Sequence, residues 1–543
     1  MKVICSTLLI FLSFISVEAQ TEIEENAWVY FVDKPSANSF LANPLTMLSQ
    51  RALDRRTNQE IPLGVQDVPV EASYISAVVN LTGITVKAKS KWLNVLHVQG
   101  TQANIDLLLN FSFVASIDYG YAISGQSINT VNTEIQNNNT VGSTSLLYGA
   151  SVNQIQMLNG DYLHNLGYTG NTMKIAVMDA GFKGVESFSV FSRLGDGTLS
   201  NGEILGGYDY VNRNADFYAD TGNTHGLSVL STMGGYLENQ YIGTAPDAQY
   251  YLFVTEDVSS ETPLEESLWV EAAEKADSLG VDIINTSLGY TTFDDPKYDY
   301  TYSDMDGQTT FISRGAQVAA SKGVLLVNSA GNSGNDPWHY IGAPADVEEV
   351  LSIGAVDALE QTASFSSYGP TFDGRVKPDL LAQGENVYVI NFEGNIALSN
   401  GTSFSSPIMS GMLACLWQAY PTKTAQEIRE YIRNSGDLYT MPTAQRGYGI
   451  PNFEMVYNTL SVKDQIDVFE VFPNPVKMSF QVRFMSGIDT CEMALFDVLG
   501  NILAKRIIQK AQPTFSMESF KSGIYFLSLK FNSEKKIIKL IKD

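Results

Sequence analysis

Cysteine, histidine and basic charge are all scarce in this chain of 543 residues. Three cysteines are too few for a disulfide framework. Cys5 lies in the leading apolar run, Cys415 falls within a helical pattern as a buried core residue, and Cys491 stands apart as a separate thiol. The mature protein is therefore read as free of disulfides. Lysine and arginine number 34 against 59 aspartates and glutamates, a net charge of −25. That balance excludes the basic face that nucleic acids and anionic membranes require, and reads as simple solubility. After about Val17 no apolar run is long enough to span a bilayer. Neither a Gly-rich phosphate loop nor a cofactor fingerprint is present. The acidic stretches Asp294-Asp295 and Tyr302 to Asp306 do not have the spacing of an EF-hand loop and read as solvated loops. With only four histidines, any general base is drawn from a small pool.

What is present points to a globular, multi-part chain. It is 44% hydrophobic and 17% charged, which is far from disorder, and its length suggests two or three domains. The most informative segment is Gly401-Thr402-Ser403-Phe404-Ser405-Ser406-Pro407. The apolar run Phe404 to Tyr420 reads as a buried helix with Pro407 tolerated in its first turn. Ser403 would then sit at a helix N-terminus, where unpaired amides and the helix dipole favour a developing negative charge. An ordinary serine cap is the plainer reading of that motif alone.

A serine hydroxyl needs a base and an orienting acid to act as a nucleophile. Lys174 to Gly181 is a short apolar strand ending in Asp179 and a turn, the place where open parallel sheets present functional groups. Asn223-Thr224-His225-Gly226 leads into a plausible helix start. His97 lies in a region read below as removable, His164 as a helix-surface or satisfied core residue, and His339 in an aromatic loop, which leaves His225 as the base. The order Asp, His, Ser differs from that of chymotrypsin and of the α/β-hydrolases, and the Ser403 context lacks the G-x-S-x-G elbow.

With these residues in place the chain resembles the subtilisin-like serine peptidases (subtilases, the S8 family) over roughly residues 148 to 460. The resemblance is carried by AVMDAGF around Asp179, NTHG around His225, VDIINTSLG at 281–289, GVLLVNSAGN at 323–332, ASFSSYGP at 363–370, GRVKPDLLAQG at 374–384 and GTSFSSP at 401–407. It implies a three-layer α/β domain on a mainly parallel sheet and an Asp179–His225–Ser403 triad, with Asn332 as oxyanion donor. It further implies Ser287-Leu288-Gly289 as the edge that pairs with substrate and Ser329-Ala330-Gly331 as the facing wall of the specificity pocket. Two positions depart from the family pattern: Ala180 follows the acid where Ser or Thr is usual, and Leu227-Ser228 follow His225-Gly226 where Thr and a second His are common. No cofactor is expected, although the family admits structural calcium.

Residues 1–19 read as a secretory signal peptide with Val17-Glu18-Ala19 at its cleavage site. Residues 20–147 read as a small α+β propeptide domain, with strands such as Trp28 to Val32 and Leu93 to Val98 and a helical Gln102 to Asn110. An Asn/Thr/Ser-rich linker, 127–145, follows it. Residues 148–462 form the peptidase domain and 463–543 a β-sandwich, with strands expected at Val468 to Phe472, Ser479 to Phe484, Glu492 to Asp497, Gly523 to Phe531 and Lys536 to Ile541. This tail resembles the type IX secretion sorting domain of Bacteroidetes, on Phe472-Pro473-Asn474-Pro475, Phe496-Asp497-Val498-Leu499-Gly500, Ser522-Gly523-Ile524-Tyr525-Phe526 and a Lys-rich end. The expectation is a monomeric, secreted or cell-surface serine endopeptidase acting on protein or peptide substrates and exported by outer-membrane machinery, with no nucleic-acid partner. Two alternatives are an inactive peptidase fold serving as a surface binding protein and an extracellular esterase or amidase.

Overall fold

The strand Lys174–Asp179 alternates with period two along a fully covered sheet. Ile175 and Val177 enter one apolar core, and Ala176 and Met178 the other. A strand buried on both faces reads as an uninterrupted apolar run, which is the pattern of a parallel sheet under two helical layers. The computed structural model, which describes residues 24–121, 146–195, 202–466, 469–484, 489–531 and 534–543, has that arrangement. The sheet has seven strands in the order Leu380–Gln383, Val350–Val356, Leu325–Ser329, Ile283–Thr286, Lys174–Asp179, Gln249–Val254, Glu203–Asp209. Every pairing in it is parallel. Chain order reverses beside the Lys174–Asp179 strand, so the crevice at its carboxyl end is the natural ligand site of such a sheet.

Helices His225–Gly234 and Thr402–Ala419 pack on one face, and Pro263–Leu279 and Phe311–Ser321 on the other. Thr402–Ala419 is buried from Thr402 through Trp417, the all-round covering expected of an apolar helix inside the domain. It begins two residues before the predicted Phe404, capped by Gly401 at φ 147, a backbone angle that side chains rarely adopt. Pro263–Leu279 starts with a proline and a Thr262/Glu265 capping box.

Residues 24–118 form a four-stranded antiparallel sheet ordered Ile84–Ser90, Val95–Thr101, Glu24–Phe31, Val114–Asp118. It rests on helices Pro263–Leu279 and Phe311–Ser321. Trp28 stacks on Phe311 with ring centroids 4.7 Å apart, and its indole donates to Ser267 Oγ at 2.8 Å. Arg55 and Arg56 both donate to the carboxylate of Asp277, and Arg56 also to Asp67. Glu274 accepts from Ser90 Oγ and from the Lys91 and Trp92 amides.

The tail folds as two sheets, of three and four strands, that share one core around Phe480, Met493 and Leu527. Two of its strands, Ile502–Gln509 and Thr514–Ser516, were not foreseen. Exposed Ile502 and Ile507 break the alternation that would have marked the longer one. Cys415 and Cys491 are buried free thiols. The signal peptide and linker expectations fall outside the described residues. No helix among the described residues is long and apolar enough to cross a membrane.

Candidate active site

Three motifs far apart in sequence converge at the crevice. Asp179 ends its strand fully buried, and His225 opens the helix His225–Gly234. The two are joined by a 2.8 Å hydrogen bond between His225 Nδ1 and Asp179 Oδ1. Gly226 permits this approach, since a Cβ there would lie 2.9 Å from that of Asp179. Asn223 Oδ1 accepts from the His225 amide at 2.7 Å and fixes the turn. With Nδ1–H committed to the carboxylate, Nε2 is left to accept a proton. Burial opposes a charge on His225, but the Asp179 carboxylate beside it outweighs that and raises its pKa.

The Ala180 amide donates to Asp179 Oδ1 at 2.7 Å. Asp179 Oδ2 has no hydrogen-bond partner among the described residues, and Ala180 has no hydroxyl with which to supply one. Leu227 is core and Ser228 donates to the Ile390 carbonyl, so neither departure carries a proton-transfer group to the crevice.

Ser403 is the second residue of its helix, where backbone amides have no partner within the helix. Its hydroxyl donates to the Ser287 carbonyl at 3.2 Å, and Ser287 Oγ donates to the Ser403 carbonyl at 2.8 Å. No hydrogen bond joins Ser403 to His225 among the described residues. Their neighbourhood is plain from the His225 and Phe404 rings, 5.8 Å apart, and rotation about the serine χ1 is the motion that would turn the hydroxyl towards the imidazole. Asn332 Oδ1 accepts from both the amide and the hydroxyl of Thr402 at 2.9 Å. That assigns the orientation of the amide and leaves its Nδ2 as the donor group.

Ser287, Leu288 and Gly289 on one side and Ser329, Ala330 and Gly331 on the other enclose a cavity of about 160 Å³ that also meets Asn332 and Ser403. Thr291, Ser333, Trp338, Tyr340, Gly342 and Ser367 complete its lining, and no charged residue takes part. Sequence reasoning missed the residues that hold this cavity in shape. Asn328 Nδ2 donates to the Leu288 and Ser329 carbonyls, tying the two walls together. Asn285 donates to Ser287 Oγ and accepts from Ser406 and Ser410 of the serine helix. Their signal was available, as asparagines inside otherwise apolar strands.

The other histidines lie elsewhere. His164 is buried between Tyr148 Oη and the Thr244 carbonyl, His339 is in a surface loop, and His97 faces Ser267 under the N-terminal sheet. The acidic loops are satisfied locally, with Asp295 and Asp306 accepting from backbone amides two or three residues on. Among the described residues, no three His, Cys, Asp or Glu side chains are grouped as for a metal ion.

Residues 170–450 match the model of the subtilase family. Residues 26–139 match the peptidase S8 propeptide domain of Bacteroidota, and residues 470–543 a secretion system C-terminal sorting domain, which marks the chain for export. The chain is 27% identical to subtilisin DY of Bacillus licheniformis over 292 residues, 52% of this chain and 92% of that protein. It is 28% identical to subtilisin E of Bacillus subtilis over 304 residues, 55% of this chain and 69% of that protein. Among solved structures, the epidermin leader peptide processing serine protease of Staphylococcus aureus aligns with a TM-score of 0.54 at 16% identity, over 81% of this chain and 99% of that one, a likeness of fold.

Proposed function

The chain belongs to the subtilase family of serine peptidases, and from that premise we propose that it is a secreted endopeptidase whose triad is Asp179, His225 and Ser403. The observation that carries this reading is the 2.8 Å bond from His225 to buried Asp179, made in the same crevice as the first turn of the Ser403 helix. His225 Nε2 takes the Ser403 proton as Oγ attacks the peptide carbonyl. The negative charge that develops on the carbonyl oxygen is met by Asn332 Nδ2 and the Ser403 amide. The imidazolium, held by Asp179, passes its proton to the leaving amine. A water activated by the same imidazole then releases the acyl half.

The substrate backbone adds as a strand along Ser287-Leu288-Gly289, and its side chain at the cut enters the cavity. A volume of 160 Å³ compares with the roughly 150 Å³ that admits benzene, so an uncharged side chain of leucine, methionine or phenylalanine size is favoured. The N-terminal domain acts as a propeptide removed within about residues 120–148, and the monomeric enzyme needs no cofactor for the chemistry. Unchanged hydrolysis after chelation would support the last point, and loss of activity restored by calcium would assign the ion a structural part.

Casein hydrolysis by wild type and Ser403→Ala, with intact mass followed over time, tests the proposal. Cleavage and loss of the N-terminal region by wild type alone support it. Identical behaviour of the two proteins refutes it and favours a binding protein. Hydrolysis of small esters without casein would instead favour an esterase.

A further inference from the structure

Glu256 is a buried carboxylate, 8% exposed, to which acyl transfer assigns no part. It lies two residues beyond the strand Gln249–Val254, whose last residue pairs with Asp179. Between them, the Thr255 amide donates to the Asp179 carbonyl at 3.1 Å. On the other side of the crevice, the strip Ser287-Leu288-Gly289 runs directly into Tyr290, which is 1% exposed. The Tyr290 phenol lies 2.7 and 2.8 Å from the two oxygens of Glu256 and donates to them. Thr255 Oγ1 donates to the same carboxylate at 2.9 Å. One side chain thus ties the end of the acid's strand to the edge along which substrate is read.

The electrostatic surroundings of Glu256 are one-sided. Asp179 faces it from the central strand, His225 from the helix His225–Gly234, and Tyr290 from the substrate edge. Glu261 and Glu265 interact with it from the start of the helix Pro263–Leu279. Of these groups only His225 can carry positive charge. Burial raises the pKa of Glu256, the bonds from Tyr290 and Thr255 oppose this, Asp179 adds to it, and the result is about 7. Burial and the neighbouring carboxylates likewise push Glu261 to about 8 and Glu265 to about 10. Glu256 is the member of this group that bonds to the substrate edge, and its negative form favours protonated His225.

We propose that Glu256 is a positioning residue of the peptidase reaction, holding the Ser287–Gly289 edge through Tyr290 and setting by its charge the pH at which His225 becomes a free base. The proposal rests on the Asp179–His225–Ser403 reading. A carboxylate that only satisfied a buried tyrosine would leave the titration of His225 untouched.

The test is steady-state hydrolysis of a peptide with an uncharged residue at the cut, followed from about pH 5 to 10 for wild type, Glu256→Gln and Glu256→Ala. In Glu256→Gln the amide oxygen still accepts from Tyr290, so KM should stay within about twofold of wild type, while loss of the charge moves the acid limb of kcat/KM about half a pH unit or more to lower pH. In Glu256→Ala the edge loses its anchor, and KM should rise about threefold or more with a smaller change in kcat. If the alanine variant does not fold, Tyr290→Phe takes its place in the KM arm. An acid limb in Glu256→Gln that superimposes on wild type overturns the proposal, as does an unchanged KM once the anchor is removed. Ser403→Ala keeps the two levels apart. If wild type is no more active than Ser403→Ala the triad reading has failed, whereas an active wild type with an unmoved limb removes only the part given to Glu256.

Discussion

Replacing Arg56 by methionine probes how the N-terminal domain is held on the peptidase. Arg56 is 2% exposed, and Asp67 and Asp277 are fully buried. Its Nη2 reaches Asp277 at 2.7 and 2.9 Å and Asp67 at 3.1 Å. Removing one partner of a buried pair costs about 3–5 kcal/mol, because a charge is stranded away from water. Here neither carboxylate is left bare, since Arg55 stays on Asp277 and the Gly64 amide and Lys322 stay on Asp67. The substitution also removes two unpaired donors, Arg56 Nε and Nη1, each a burden of about 1–3 kcal/mol. Taking about 4 kcal/mol for the broken pair and the lower end, about 1 kcal/mol, for each of the two donors relieved leaves a loss of about 2 kcal/mol, or about thirtyfold in the opening equilibrium of the domain. Hydrogen exchange of the Glu24–Phe31 strand amides in the Ser403→Ala chain, where no self-cleavage intervenes, reads that ratio directly. A change smaller than about threefold would mean the buried charges act as weakly as surface ones, and the reasoning would fail. The matured enzyme should keep wild-type kcat/KM.

Three further outcomes are expected. Asn332→Ala should lower kcat by about 10²–10³ with little change in KM, a range drawn from a subtilisin, and an undiminished kcat would remove Asn332 from the oxyanion site. His97 is held neutral, with burial lowering its pKa from 6.5 to about 3; a folded value below the free one means stability is complete above about pH 6.5 and is lost as pH falls. At about pH 4.5 the contact should be weaker by roughly 3 kcal/mol, seen as hydrogen exchange that rises with acidity in the Ser403→Ala chain more steeply than in the same chain carrying His97→Gln, and parallel slopes would exclude the histidine. Gly342→Val should shift the preference at the cut from leucine and phenylalanine towards alanine, because even a Cβ there lies 3.2 Å from Thr291 Cγ2; a peptide-library profile unchanged from wild type would place the pocket elsewhere.

The fold class was readable because its signals are local. The apolar strand Lys174–Asp179 and the small-residue helix after Ser403 each declare themselves within a dozen residues. Asp179, His225 and Ser403 stood out for the same reason, as polar side chains at the ends of such elements, whereas Asn332 was singled out only by the resemblance to the subtilases. What stayed hidden depends on distant packing. Asn285 serves the serine helix more than a hundred residues later, and Glu256 acquires its partner only when Tyr290 folds over it. No local pattern announces that the Ser403 hydroxyl rests on Ser287, or that Trp338 and Tyr340 close the pocket. The strand Ile502–Gln509 was missed because its apolar residues face outward as well as inward.

The contact of Arg55 and Arg56 with Asp277 also bears on how freely the parts of this chain can be exchanged. A leading domain taken from a relative without that arginine pair would press Asp277 out of water with nothing to answer its charge, and should seat poorly however well its backbone fits. The two arginines and the aspartate therefore behave as lock and key cut together. Grafts that carry all three should take, and grafts that split them should not.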